Sequence, residues 1–179
     1  IDILDKAVEE ADAVVHLAAL WLLHCQDFPQ SAFDVNIRGT FDVLWSCVRN
    51  KVERVVYSSS ASVYGDAVFE PMTEDHPFNN ETFYGATKVA GEQMFKAFHH
   101  RYGLQGAGLR YMNVYGPRQD PHGEAGVVAI FCGRLLDGER PKIFGDGLQT
   151  RDYVYVGDVV RAFLAAEAGT PVPILMLDM

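Results

Sequence analysis

Short unbroken apolar runs alternate along the chain with longer stretches whose apolar residues recur at helical spacing. Ala13 to Ala19, Arg54 to Tyr57 and Gly108 to Val114 are runs of the first kind. Continuous runs of this length suit parallel strands buried on both faces. Asp5 to Ala11 predicts a short helix carrying Ala7, Val8 and Ala11 on one side. Asp27 or Ser31 is placed to cap the next helix, with Pro29 in its first turn and Phe33, Ile37, Phe41, Leu44 and Val48 as its apolar stripe. Asn36 stands beside that stripe and reads as solvated. Gly39 inside the helix costs about 1 kcal/mol relative to Ala, which points to close packing or a neighbouring ligand.

Val63 to Asn80 reads as a long surface loop. Thr82 then caps a helix that runs to Tyr102, faces the core with Val89, Met94, Phe95 and Phe98, and stops at Gly103. Val127 to Leu136 predicts another helix, ended by Gly138. Pro141 to Phe144 and the alternating Asp152 to Val156 predict strands, and Asp158 caps a last helix with Val160, Phe163 and Leu164 inward. Strand and helix patterns alternate throughout, so the expected class is α/β with a doubly wound parallel sheet.

Composition narrows the partners. The 179 residues are 49% hydrophobic and 22% charged, enough for one domain or one domain with part of another. A net charge of −9 argues against a nucleic-acid or anionic-membrane partner, while leaving room for a local basic pocket. Cys25, Cys47 and Cys132 are widely spaced, with no Cys-x-x-Cys or His/Cys cluster. That pattern predicts reduced thiols, a cytoplasmic setting and no metal site. No apolar run approaches a membrane span. The chain opens on Ile1 without a start methionine and closes on Met179, so the expectation is a piece of a longer protein.

Chemistry concentrates in two places. Ser58, Ser59, Ser60 and Ser62 follow a strand, where open α/β sheets present ligand contacts, although turn-forming serines alone would give the same run. Tyr84 and Lys88 are four residues apart, so phenol and ammonium project from one helix face. An ammonium beside a phenol favours the phenolate and suits it to act as a general base. Such a pair also marks solvated helix faces, and its meaning depends on the rest of the chain.

The rest of the chain supplies His16-Leu17-Ala18-Ala19, Val35-Asn36-Ile37-Arg38-Gly39-Thr40, Tyr57 through Gly65, Tyr84-Gly85-Ala86-Thr87-Lys88, Arg110 through Arg118 and Gln149 through Val156. In this order and spacing the set resembles the extended short-chain dehydrogenase/reductase family, in its nucleotide-sugar epimerase/dehydratase branch. The resemblance implies a Rossmann-like domain over residues 1–115, lacking the glycine-rich phosphate loop, and part of a smaller substrate-binding region over 116–179, interleaved with elements that return to the sheet. It implies NAD as cofactor, with NADP left open by the absent loop. Tyr84 would be the base, Lys88 would hold the phenolate charge and the nicotinamide ribose, and Ser60 would bond the reacting oxygen. Asp2 and Ile3 would contact adenine. Leu17, Ala18, Ala19, Asn36, Ser58, Ser59 and Tyr111 would line the cofactor. Asn113 and Arg151 would hold a substrate diphosphate, with Lys142, Ile143 and Phe144 along its base.

Relatives that eliminate or decarboxylate carry carboxylates just after the serine or threonine, where this chain has Ala61 and Ser62. The resemblance therefore implies 4-epimerisation of a nucleotide sugar, most simply a UDP-hexose. Trp21 departs from a lysine that UDP-galactose epimerases often place there. A 4-dehydrogenase or reductase, or a binding-only fragment, would share the same motifs. Helices over 34–50 and 84–102 resemble those that family members bury in a homodimer.

Overall fold

The computed structural model describes residues 2–122, 126–168 and 174–177, with backbone alone at Asp2 and 174–177. The elements in order are α1 (Asp2–Val8), β1 (Ala13–His16), α2 (Leu22–Asp27), α3 (Pro29–Ala32), a π-helical turn (Phe33–Arg38), α4 (Gly39–Arg49), β2 (Arg54–Ser58), a 3-10 turn (Ala61–Val63) and α5 (Phe83–Tyr102). There follow β3 (Gln105–Tyr111), β4 (Asn113–Tyr115), α6 (Val127–Leu136), β5 (Tyr153–Tyr155), α7 (Val156–Glu167) and β6 (Ile174–Leu177). Among the described residues the strands form a sheet in the order β1-β2-β3-β6 and a separate pair, β4-β5. β1 runs parallel to β2, and β2 to β3, with His16 opposite Tyr57 and Ser58 opposite Leu109. The carboxyl ends of β1 and β2 therefore lie side by side.

Two compact units emerge, one of Ile1–Arg110 with Phe163–Met176, the other built on Tyr111–Ala162. The single strand expected over Gly108 to Val114 breaks at Met112, and Asn113 to Tyr115 pairs with Tyr153 to Tyr155 instead of continuing the large sheet.

The first unit's core gathers Val8, Leu44, Cys47, Val52, Val55, Phe95, Phe98 and Leu104. Removing such side chains from water at roughly 25 cal/mol per Å² is what holds α1, α4 and α5 to the sheet. α5 begins and ends as the sequence predicts. The Thr82 hydroxyl accepts from the Gly85 N–H at 3.0 Å, and Gly103 closes the helix at φ 73°. α6 also matches its predicted span, with Gly138 at φ 74° just beyond it.

Elsewhere the structure corrects the pattern reading. α1 starts at Asp2 and stops at Val8, before Ala11. β1 lies at an edge of the four strands, only His16 of its four residues is buried, and Val15 is exposed, so it is not buried on both faces. Neither Asp27 nor Ser31 caps a helix: α3 starts at Pro29 after Phe28, without a side-chain cap. The buried face of the following helix carries Asn36, Thr40, Leu44 and Cys47, while Phe33 and Phe41 are exposed. A Cβ on Gly39 would meet only the Asp34 carbonyl oxygen, at 3.7 Å, which is ordinary contact, so close packing does not explain that glycine. Pro141 to Phe144 forms no strand. α7 starts two residues ahead of Asp158 and buries Val159, Phe163 and Ala166, leaving Val160 and Leu164 exposed.

Candidate active site

β2 delivers the serine run to the carboxyl edge of the sheet. Ser60 is extended, at φ −161° and ψ 148°, and caps the 3-10 turn by accepting from the Ser62 N–H at 3.1 Å. Its Oγ lies 3.1 Å from the Ser62 hydroxyl as well. Its side chain is half-buried, so a ligand can reach it.

The first turns of α5 meet this serine turn directly. A Cβ built on Gly85 would sit 2.6 Å from the Ser62 carbonyl oxygen, which is possible only because no side chain is there. Tyr84 is the neighbouring residue. Lys88, one turn on, is 3% exposed, and its Nζ lies 5.4 Å from the centre of the Tyr84 ring and 5.3 Å from that of Tyr57. The ammonium donates to the Ser58 carbonyl at 2.7 Å. Burial pulls the Lys88 pKa down from 10.5 to about 8. Tyr84 and Lys88, singled out from sequence, thus meet at the end of β2, and the turn that carries Ser60 packs on the first turn of α5.

Asn36 is not solvated; it is 2% exposed. Its Oδ1 accepts from the Leu20 N–H at 2.7 Å, while its Nδ2 donates to the Leu20 carbonyl at 3.0 Å and to Thr87 Oγ1 at 3.1 Å. The Thr87 hydroxyl in turn donates to the Tyr84 carbonyl at 2.8 Å. One amide therefore fixes both the loop after β1 and the first turn of α5. Leu17 and Ala18 stay exposed in that loop, and Ala19 half-buried. Behind it the buried His16 pairs through Nε2 with Thr40 Oγ1 at 3.0 Å and stacks on Tyr57 at 5.8 Å.

A second layer escaped the sequence reading. Ser58 and Ser59 are both buried, and the Ser59 hydroxyl donates to Glu92 Oε1 at 2.5 Å, so that hydroxyl has a protein partner rather than facing open space. Glu92 takes two further bonds from Arg110, at 2.8 and 2.7 Å. Arg110 also donates to the Tyr64 hydroxyl at 2.7 Å and to the Glu74 carbonyl at 3.0 Å, and its guanidinium lies 5.0 Å from the ring centres of both Tyr64 and Phe78. The available signal was Glu92 itself, a carboxylate one turn beyond Lys88 on the same face, ahead of Phe95.

The second unit, taken by itself, holds a pocket of about 500 Å³. Asn113, Lys142, Ile143, Phe144 and Arg151, the residues expected to contact substrate beyond the serine, all line it. Arg151 donates to the Thr150 carbonyl at 2.8 Å, Asn113 Nδ2 to the Asp152 carbonyl at 3.0 Å, and Lys142 Nζ sits 4.8 Å above the Phe144 ring. Tyr111, half-buried, ends β3. Ile3 is exposed in the first turn of α1, and the side chain of Asp2 lies outside the described residues. Among the described residues no cluster of His, Cys, Asp and Glu could hold a metal, and no helix is long and apolar enough to cross a membrane.

Comparison with known proteins points to one family. The NAD-dependent epimerase/dehydratase family description matches residues 1–171. A putative UDP-glucose 4-epimerase of Methanocaldococcus jannaschii is 42% identical over 173 residues, covering 92% of this chain and 57% of the relative. The UDP-glucose 4-epimerase of Thermotoga maritima, solved with UDP-glucose, superposes with a TM-score of 0.95 at 37% identity, covering 99% of this chain and 59% of that one. The Thermus thermophilus UDP-glucose 4-epimerase, solved with NAD, gives a TM-score of 0.89 at 37% identity over 99% of this chain and 60% of that one. The chain thus spans less than two thirds of the length of each.

Proposed function

The chain belongs to the NAD-dependent epimerase/dehydratase family, and from that premise we propose that it serves the 4-epimerisation of a nucleotide sugar, a UDP-hexose of the UDP-glucose/UDP-galactose type, through a 4-keto intermediate. The observation that carries this reading is Lys88, buried on Ser58 and beside Tyr84, at the edge where the Ser60 turn packs on α5.

The chain's own residues fit the family's cofactor. Leu17 and Ala18 leave an exposed apolar edge at the carboxyl end of β1, where a flat ligand can lie, and the Asn36 amide holds that loop in place. The Lys88 ammonium has three donors, of which the Ser58 carbonyl takes one, leaving capacity for ribose hydroxyls. NAD, when bound, supplies the removal of a hydride from C4 and its return to the opposite face. Tyr84 accepts the C4 hydroxyl proton as base and later gives it back. Lys88 stabilises the phenolate by its charge. Ser60 donates to the reacting oxygen. Ala61 and Ser62 offer no carboxylate for a further proton transfer, which supports epimerisation over elimination.

Arg151, Lys142 and Asn113 supply the polar side of the second unit's pocket and Phe144 and Ile143 its apolar side, a combination suited to a diphosphate and a base. The exposed Phe33, Val35 and Phe41, with Tyr102 on α5, support a homodimer through these helices, and three free cysteines support a reducing, cytoplasmic setting.

The test is to incubate the protein at its natural full length with UDP-glucose and with UDP-galactose, without added nicotinamide, and to separate the sugars. Interconversion by the parent, lost in a Tyr84→Phe control that still binds nucleotide, is the expected result. Net formation of a keto sugar on adding NAD, or net reduction on adding NADH, would replace epimerase by dehydrogenase or reductase. No conversion with no bound NAD would leave a binding-only protein.

A further inference from the structure

The serine turn is fixed at both ends by one buried ion pair. At its near end the Ser59 hydroxyl bonds Glu92 at 2.5 Å, and at its far end the Tyr64 hydroxyl accepts from Arg110 at 2.7 Å. Glu92 and Arg110 join these two anchors through their paired bonds at 2.8 and 2.7 Å. All four residues are buried, Tyr64 completely, and Arg110 lies against the rings of Tyr64 and Phe78. Ser60 sits between the anchors, with its own hydroxyl bonded only within the turn among the described residues.

This arrangement has more polar chemistry than holding a loop requires. An isolated buried ion pair contributes little net stability, because desolvation offsets attraction, whereas its fixed fork geometry defines where its partners lie. Here the partners are the two ends of the segment that carries a half-buried hydroxyl. We propose that Glu92 and Arg110, acting through Ser59 and Tyr64, are positioning residues that set the Ser60 hydroxyl against the reacting oxygen. The four bond to one another, so they act through the Ser60 turn. The inference rests on the epimerase reading for its kinetic consequence and on the hydrogen bonds alone for its structural one.

The test leaves the charged pair intact, since removing one partner would strand the other in the core. Ser59→Ala and Tyr64→Phe each delete one anchoring hydroxyl in the protein at its natural full length. Each should lower kcat about tenfold with KM within about twofold, and Tyr64→Phe should also leave NAD content unchanged, as expected when a reacting group is displaced while binding is preserved. In a Ser60→Ala background both substitutions should have no further effect, because the group they position is gone. A loop brace of general importance would instead lower activity in both backgrounds, and that result overturns the proposal. So does a kcat within about twofold of the parent in both single variants.

Hydrogen exchange supplies a readout that does not need turnover. The amides of residues 60–64 should exchange about tenfold faster in either variant while those of β2 and α5 stay protected. Unchanged protection of 60–64 overturns the clamp whatever the activity. A parent that shows no turnover, with protection lost as expected in the variants, would instead refute the epimerase reading and keep the clamp.

Discussion

Lys88 donates its ammonium to the Ser58 carbonyl at 2.7 Å from a position that is 3% exposed, one helical turn beyond Tyr84. Burying an ion between one carbonyl and two aromatic rings still works against folding, and burial lowers its pKa from 10.5 to about 8. Between those values the unfolded chain holds a proton that the folded chain has released, so stability rises with pH across this window. Below pH 8 the full penalty applies, roughly 3 kcal/mol.

Lys88→Met should therefore abolish turnover and yet stabilise the fold at pH 7 by about 2 kcal/mol, after the lost bond to Ser58 is allowed for. The gain should shrink as pH passes 8 and approaches 10.5. Urea unfolding at pH 7 and in the alkaline range measures it. A variant less stable than the parent at pH 7 would show that the ammonium is no burden.

Gly85→Ala tests the contact between the serine turn and α5. Its added methyl would lie 2.6 Å from the Ser62 carbonyl oxygen, a backbone atom that cannot rotate away. We expect a loss of about 1–3 kcal/mol of stability, as for other overpacked positions, and a drop in kcat well beyond that in binding. Equal kcat in the variant would mean that the turn can move off the helix without consequence.

His16 should govern the acid limb of stability. Burial first, and the Lys88 charge second, lower its pKa from 6.5 to about 4. The unfolded chain takes up a proton near pH 6.5 that the folded chain refuses until about 4, so this contribution is complete above 6.5 and is lost as pH falls toward 4. The loss amounts to roughly 3 kcal/mol. His16→Gln keeps a partner for Thr40 and should flatten this limb in thermal melts between pH 4 and 7. Identical acid limbs would assign the loss to other groups.

Arg151→Ala should raise KM for the nucleotide sugar about tenfold or more, the expectation for a charge-assisted bond to a diphosphate, with kcat nearly unchanged. An unchanged KM would remove Arg151 from the pocket's chemistry.

The sequence made some of this legible for identifiable reasons. Thr82, the Tyr84/Lys88 spacing and Gly103 mark α5 because cap and stop act locally. The residues that the resemblance implies for substrate contact in the second unit line one pocket. Helix faces were read wrongly where polar side chains find buried partners. Asn36 and Thr40 face inward because Leu20 and His16 satisfy them, which displaces Phe33 and Phe41 outward. Glu92 gave a signal, a carboxylate on the inward face of α5, but its partner did not: Arg110 is acceptable in the core only because Glu92 is there, and the two positions are far apart in the chain. The break at Met112 had no sign either, since one apolar run supplies strands to two different sheets.

Gly91 gives the Tyr84 helix its seat. A Cβ there would stand 2.6 Å from Tyr57 Cζ, so the phenol of Tyr57 occupies the notch left by the missing methyl. The fit works like a key. Sliding α5 by one residue in either direction would bring Ala90 or Glu92 to that notch and jam it. The notch thus favours the axial setting of α5 on β2 at which Lys88 reaches Ser58.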